Sequence, residues 1–173
     1  MSAVLTAVLV AFLGKKNILL ILMFSSASFM FSQEYYASNK SGMTLSRIPG
    51  YRIDEYEYFI EKSVNGKIET KILYHNSAPV AETVTWYSED GEIIKETIKE
   101  ENSITEKLFE NSLLLQEKVT EGNQDKGYLN RYRYNASRQL DHVETYDLSE
   151  NLSSSVTYRR DAKGRIISVN RVD

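Results

Sequence analysis

The side chains best suited to chemistry are a histidine and a carboxylate two residues apart. His142 and Glu144 would share one face of a β-strand, with Tyr146 next on that face, because side chains alternate between the faces of a strand. A metal site needs a third ligand, and acid–base catalysis needs a nucleophile or substrate group within reach, and none stands at a suitable spacing. The second histidine, His75, falls in a predicted turn. We therefore predict no catalytic residue, no metal site and no cofactor, and expect that the chain is not an enzyme.

Tyrosine and arginine concentrate in two short segments, which form the candidate binding surface. The residues are Tyr132, Arg133 and Tyr134 in the first segment and Tyr158, Arg159 and Arg160 in the second. Both residue types are enriched at binding hot spots, and flat aromatic rings stack on sugars and peptides. The architectural alternative, which the pattern favours, is a ladder of tyrosines on neighbouring strands that the arginines shield.

Composition excludes several classes of protein. The chain has 173 residues and no cysteine, which rules out disulfides, thiolate zinc sites and a bacterial lipoprotein anchor. A formal net charge of −3 argues against a nucleic-acid binder, whose surface is normally basic. The 12 tyrosines, together with frequent Thr, Val and Ile, favour β-strands.

Residues 1–32 have the pattern of a secretory signal peptide, which would form an N-terminal signal helix. Their only charges are Lys15 and Lys16, and an apolar run and a tail of small residues follow that pair. Cleavage after Ala27, Ser28 or Ser32 fits the pattern, and the sequence does not choose among these sites. Removal of 1–32 leaves 19 basic and 24 acidic residues, a net charge of −5. We predict an exported protein, periplasmic or secreted.

An apolar stretch over residues 3–13 precedes the basic pair and is unusual for a leader. Either the leader is long, or the start is mis-extended over 1–14 and translation begins downstream. The alternative is an uncleaved N-terminal anchor formed by both apolar stretches.

From residue 62 onward the sequence repeats about every twelve residues. An aromatic or apolar residue is often followed by a short polar residue, and an aliphatic or tyrosine residue comes six positions after the first, as in Tyr87 to Ile93. These closing positions are Ile68, Val80, Ile93, Ile104, Leu115, Tyr128, Leu140, Leu152 and Ile166. A short polar residue with glycine three positions later is typical of a type I turn with a bulge. We expect the first and seventh residues of each unit to face one another across a hairpin.

About eight residues remain between turns, which is the length of one strand. The prediction is an all-β fold, an antiparallel meander of about ten strands over 51–173 in an open twisted or curled sheet, after a lead-in loop at 33–50. The residues two positions after the closing ones are polar and are expected to form one row on a single face. The glycine position is filled poorly in four turns, by Arg138, Lys126, Glu150 and Leu113, so some turns should be looser or shifted by a residue.

Two of these units resemble the tyrosine–aspartate (YD) repeat of Rhs-type proteins, with consensus Tyr-x-Tyr-Asp-x-x-Gly-Arg-Leu. The segments are Tyr158-Arg159-Arg160-Asp161-Ala162-Lys163-Gly164-Arg165-Ile166 and, with Asn for Asp and Arg for Gly, Tyr132-Arg133-Tyr134-Asn135-Ala136-Ser137-Arg138-Gln139-Leu140. The rhythm is also similar to MORN-like repeats, which are richer in glycine. The resemblance implies an exported β-meander used as a shell, stalk or binding surface, without intrinsic catalysis.

These observations predict an exported, non-catalytic structural or binding module of the bacterial envelope. Its expected partner is an envelope protein or a glycan, not nucleic acid, with membrane contact only through the leader and self-association through exposed edge strands. The alternative is a periplasmic half-barrel carrier of a lipid or other apolar ligand, with the polar row lining its groove. Charged residues in that row, among them Glu82, Lys95, Glu106 and Glu117, disfavour an apolar interior.

Overall fold

A computed structural model describes residues 32–122 and 126–173, so the predicted signal helix lies outside the described residues. Twelve antiparallel strands form one open sheet, which confirms the all-β meander and corrects its strand count from ten to twelve. The strands are β1 (Ser32–Ser38), β2 (Thr44–Ile48), β3 (Tyr58–Asn65), β4 (Ile68–His75), β5 (Ala78–Tyr87), β6 (Ile93–Glu100), β7 (Ser103–Glu110), β8 (Leu113–Glu121), β9 (Lys126–Tyr134), β10 (Leu140–Tyr146), β11 (Leu152–Arg160) and β12 (Ile166–Val172). From β3 to β12 each strand pairs with the next, while β1 pairs with both β2 and β3 and leaves β2 at the edge.

The prediction of a lead-in loop at 33–50 is wrong, because this segment contains β1 and β2. A 3-10 helix, Gly50–Glu55, forms the beginning of the region predicted as the meander, whose first strand, β3, starts at Tyr58. The twelve-residue signature did not extend here because β1 joins β3 without a hairpin turn, with Tyr36 opposite Ile60. The β1–β2 loop is stabilised by Asn39, whose Oδ1 accepts hydrogen bonds from the backbone N–H groups of Ser41 and Met43.

Four hairpins have the predicted turn, with a short polar side chain at its first position. Asn135 Oδ1 accepts hydrogen bonds from the N–H groups of Ser137 and Gln139, each at 3.0 Å. The equivalent residues in the other three turns are Ser88, Asp147 and Asp161. Because these contacts lie within five residues of sequence, the turn chemistry is local and readable from the sequence.

Arg138 and Glu150 occupy the glycine position of this turn without loosening it. Their φ angles are 61° and 62°, in the left-handed region that Gly91 and Gly164 adopt in the equivalent turns. These two turns are therefore neither looser nor shifted, whereas the turn before Leu113 is shifted, as expected of some turns, because its two residues are Asn111 and Ser112. The side chains of Asn135 and Asp147 supply hydrogen bonds that offset the cost of a positive φ.

Other hairpins use two-residue turns, which changes the strand register. Asn76–Ser77 and Asn111–Ser112 have positive φ at both residues, as a type I′ turn requires. The predicted facing pairs are confirmed in the longer turns, where Tyr87 faces Ile93, Tyr134 faces Leu140 and Tyr146 faces Leu152. They are wrong beside the two-residue turns, where Tyr74 faces Pro79 and Phe109 faces Leu114.

The sheet has two faces, which we name after adjacent residues of β3 as the Phe59 face and the Ile60 face. Cross-strand partners share a face, so the register assigns each residue to one of them. The predicted polar row is divided between the two. Thr70, Glu82, Lys95, Glu106, His142 and Ser168 lie on the Phe59 face, whereas Glu117, Asn130 and Ser154 lie on the Ile60 face. Turn lengths and bulges set this division.

A second layer covers the sheet at its N-terminal end. Ala37, Ile48 and Phe59 form a buried cluster, against which Tyr35, Ile53, Tyr56 and Tyr74 pack. Ile53 comes from the 3-10 helix, and the ring of Phe59 stacks on that of Tyr74 with centroids 4.6 Å apart. Elsewhere in the described chain the buried residues are Ile60, Thr85, Thr97 and Leu129. Within residues 32–122 and 126–173, no helix has the length and apolarity that crossing a membrane requires.

Candidate functional site

The six residues of the predicted binding surface divide between the two faces of the sheet. Consecutive residues of a strand point to opposite sides, so the two segments cannot present all their side chains together. Arg133 and Arg159 lie on the Phe59 face, whereas Tyr132, Tyr134, Tyr158 and Arg160 lie on the Ile60 face. The structure therefore brings together two subsets and separates the pairs that are adjacent in sequence.

On the Ile60 face, the tyrosines of β9 are tied to neighbouring strands. The Tyr132 hydroxyl donates to Glu117 Oε2 at 3.1 Å, and Asn130 donates to the same carboxylate at 3.3 Å. Burial, followed by the negative charge of Glu117, raises the pKa of Tyr132 to about 12. The Tyr134 hydroxyl donates to the carbonyl of Leu114 at 2.9 Å. These two hydroxyl groups connect β9 to β8.

Arg160 also has a structural environment. Its guanidinium donates to the carbonyl of Leu140 at 3.0 Å and to that of Gly164 at 3.1 Å. These bonds fasten the β11–β12 turn to β10. The Nε of Arg160 is buried without a hydrogen-bond partner. The head group of this residue is therefore occupied by the backbone of its own sheet.

On the Phe59 face, polar side chains of β9, β10 and β11 converge around Glu144. Arg133 donates to Glu144 Oε2 at 3.0 Å, Tyr146 donates to it at 3.1 Å, and His142 Nε2 lies 3.5 Å from Oε1. Burial acts to raise the pKa of Glu144, but the Tyr146 hydrogen bond and the charges of Arg133 and His142 outweigh it, so this pKa is lowered. Glu144 is thus held as a carboxylate at the centre of the group.

Thr157 completes a hydroxyl–imidazole–carboxylate arrangement that sequence reasoning missed. Its Oγ1 lies 2.8 Å from His142 Nδ1, because the two residues are direct cross-strand partners. The sequence did not indicate this contact because it depends on the register between β10 and β11. That register is set at the β10–β11 turn, where Tyr146 faces Leu152 and one bulge shifts the pairing. Acyl transfer on such a triad also needs N–H donors aimed at the developing oxyanion. β10 instead pairs on both sides, with β9 and β11, so its backbone is engaged in the ladders.

Three arginines lie on this part of the Phe59 face, and two of them pair with carboxylates. We call Arg131, Arg133 and Arg159 the arginine cluster. Arg131 lies over the ring of Tyr146, 4.6 Å from its centroid, and pairs with Glu150 at 3.1 Å. The Arg133 side chain is 67% exposed although it contacts Glu144. The cluster therefore offers guanidinium groups to solvent on an otherwise acidic chain.

Metal binding finds no support in the geometry of the described part of the chain. No three or more histidine, aspartate or glutamate side chains lie close enough there to hold an ion together.

Comparison of the chain with protein-family models and with curated proteins finds no match.

Proposed function

We propose that this chain is an exported, non-catalytic structural or binding module of the bacterial envelope, related to YD-repeat proteins. The observation that carries the proposal is the thin sheet, which beyond its N-terminal end has two accessible faces and few buried residues. A protein built in this way offers extended surface for recognition and little enclosed volume for a substrate. In the two YD-like segments the Asn or Asp position has a structural role, because the side chains of Asn135 and Asp161 accept Asx hydrogen bonds in the turns.

The arginine cluster is the proposed binding surface, and its partner is an acidic glycan. Planar guanidinium groups bind carboxylates through paired hydrogen bonds, and the exposed Arg133 has donors free for this. The ring of Tyr146, held beneath Arg131, fixes the position of one guanidinium before the ligand arrives. An acidic segment of an envelope protein is the other candidate partner, and the following test separates the two.

The test is a calorimetric titration with a carboxylated polysaccharide, with neutral dextran as the control ligand. We expect the double variant Arg133→Ala, Arg159→Ala to lose at least about tenfold in affinity, because two charge-assisted contacts are removed. The matched control, Lys40→Ala with Arg47→Ala, removes the same charge at the other end of the sheet and should bind like the wild type. Equal weakening of both variants would reduce the effect to net charge, and binding of neither polysaccharide would redirect the search to acidic proteins.

Export has its own test, because the leader lies outside the described residues. Cell fractionation should find the protein outside the cytoplasm, and N-terminal sequencing should begin after Ala27, Ser28 or Ser32. A cytoplasmic protein that retains Met1 would contradict export without affecting the glycan experiment.

A carrier of apolar ligands remains the second candidate, because one groove on the Ile60 face combines apolar residues with the polar Lys71, Thr83 and Glu100. The groove has a volume of about 280 Å³ and lies beneath the β1–β2 loop. Ile60, Leu73, Ala81 and Ile98 are among its lining residues. Next to it on the same face, Lys107 and Glu96 form an ion pair at 3.1 Å that interrupts an apolar path along the sheet. Native mass spectrometry after incubation with a lipid extract separates the functions, since a bound acyl species would favour the carrier.

A further inference from the structure

The described sheet has two free edges, and they differ in how well they are protected against pairing. Edge strands present unpaired N–H and C=O groups, and proteins usually blunt them with short length, charge, bulges or proline. β2 has all four features. It has five residues, pairs with β1 through a bulge, carries the exposed Arg47 and is followed by Pro49. This edge is poorly suited to adding another strand.

β12 has only two of these features, a bulge and one charge. Its bulge lies at the beginning of the strand, beside Arg160, and its exposed Arg171 stands next to its last residue, while the strand has seven residues and no proline. Four of its aliphatic side chains are at least half exposed, namely Ile166, Ile167, Val169 and Val172. Such an edge combines free backbone groups with apolar side chains, which is the combination that favours strand addition.

We propose that β12 pairs with β12 of a second copy of this chain, antiparallel and about a two-fold axis at Val169. This register pairs all seven residues of the strand. Val169 then lies opposite its own copy, Ser168 opposite Asn170, Ile167 opposite Arg171, and Ile166 opposite Val172. A shift of one residue towards the start of the strand places the axis at Ser168 and brings Arg171 opposite Arg165, a like-charge contact that disfavours it.

The side chains of β11 support the same register. Tyr158 is the cross-strand partner of Val169 on the Ile60 face. The two-fold axis extends this pair into a row of four residues, Tyr158 and Val169 from each copy. Aromatic and β-branched side chains in adjacent strands are a favourable combination. The dimer is therefore one continuous sheet. The β12 edges of both copies are paired with each other at its centre, and the two protected β2 edges form its outer ends.

A lysine substitution on each edge tests which edge is used. In the dimer, Val169→Lys places two ammonium groups opposite each other, so we expect dimerisation of the full chain to weaken at least about tenfold in analytical ultracentrifugation. Leu45→Lys is the matched control, since Leu45 on β2 is 60% exposed and Val169 is 55% exposed. Circular dichroism checks that both variants keep the sheet.

Cysteine variants test the register, because the natural chain has no cysteine. Val169→Cys should form an intermolecular disulfide on mild oxidation, since the two sulfur atoms face each other across the axis. Val172→Cys should not, because six residues of offset separate its two copies by about 20 Å along the strands. Lysine and cysteine variants together keep the test valid if one substitution disturbs folding.

Each outcome of these experiments either supports the β12 dimer or overturns it. Loss of the dimer with Val169→Lys, its retention with Leu45→Lys, and cross-linking at 169 but not at 172 would support the proposal. A wild-type chain that stays monomeric at every concentration in analytical ultracentrifugation would overturn it. Dimerisation lost only with Leu45→Lys, or equal cross-linking at 169 and 172, would overturn it as well.

Discussion

The first four strands and the last four strands use the same antiparallel pairing but are stabilised by different means. At the N-terminal end, the 3-10 helix and Tyr56 cover β1 and β3, and Phe59 is only 3% exposed. At the C-terminal end, β9 to β12 are joined by three turns with Asx hydrogen bonds, and β12 is almost entirely exposed. One region relies on apolar burial and the other on turns and cross-strand polar contacts.

The comparison shows how a sheet with little core remains ordered. A sheet needs a covered apolar face or many favourable cross-strand pairs to be stable in water. Here the covered region anchors one end, and each further hairpin adds to an existing edge. Local stability should therefore fall from β3 towards β12, because the exposed strands have fewer buried contacts.

The largest expected effect is in the covered region. Phe59→Ala should lower the free energy of unfolding by about 3–5 kcal/mol, because it removes a buried ring and leaves a cavity beside Tyr74. Urea denaturation followed by tryptophan fluorescence measures it. Leu152→Ala is the control in β11, where the side chain is 58% exposed, and should cost about 0.5 kcal/mol or less. Similar losses in both variants would refute the contrast between the regions.

The next effect concerns the left-handed residue of the β10–β11 turn. Glu150 has φ 62°, a conformation that costs about 1 kcal/mol more for a residue with a Cβ than for glycine. Glu150→Gly should therefore be more stable than Glu150→Ala by about 1 kcal/mol in thermal or urea unfolding. Both variants lose the carboxylate that contacts Arg131, so their difference isolates the backbone. Equal stabilities would indicate that the turn relaxes when Glu150 is replaced.

The Asx hydrogen bonds of the C-terminal turns have a comparable effect. Asn135→Ala removes the acceptor for the N–H groups of Ser137 and Gln139 and should cost about 1 kcal/mol. Asn135→Asp keeps the acceptor and serves as the control. Hydrogen exchange should show the loss of protection in β9 and β10 and little change in β3. A change spread evenly over the sheet would contradict the separation of the regions.

The smallest expected effect is a dependence of stability on pH in the acidic range. Hydrogen bonds from Asn151 and from Arg165 lower the pKa values of Asp147 and Asp161 below the ordinary 3.8. Their contribution to stability is present above pH 3.8 and is lost as the pH falls through the lowered folded values. The double variant Asp147→Asn, Asp161→Asn should thus lose less stability than the wild type between pH 5 and pH 2 (about the range over which carboxylates titrate). Identical pH profiles of the two proteins would contradict this account.

Part of the fold was predictable because its signals are local. The turns at Ser88, Asn135, Asp147 and Asp161 were readable, since each depends on a side chain and backbone groups within five residues. The first two strands were not, because β1 pairs with a strand that follows it only after β2 and the 3-10 helix. No turn signature marks such a pairing, and it is favoured by the burial of Ala37 and Phe59.

The candidate site was predicted in composition but not in arrangement. The arginines and tyrosines of β9 and β11 were recognised, yet Arg133 and Tyr132 lie on opposite faces. Thr157 was missed, since its contact with His142 depends on a register that one bulge shifts. Side-chain type is a property of the sequence, but the neighbours of a side chain in a sheet depend on the length of every intervening turn.

The sequence by itself therefore determined the strand-and-turn rhythm, the chemistry of four turns and the acidic, cysteine-free composition. Tertiary structure decided which residues share a face, which edge is left open and where the apolar cluster forms. The physical reason is the two-residue period of a strand, because a shift of one residue moves a side chain to the other face. Short-range hydrogen bonds fix the turns, whereas the register that creates the arginine cluster is set by all strands together.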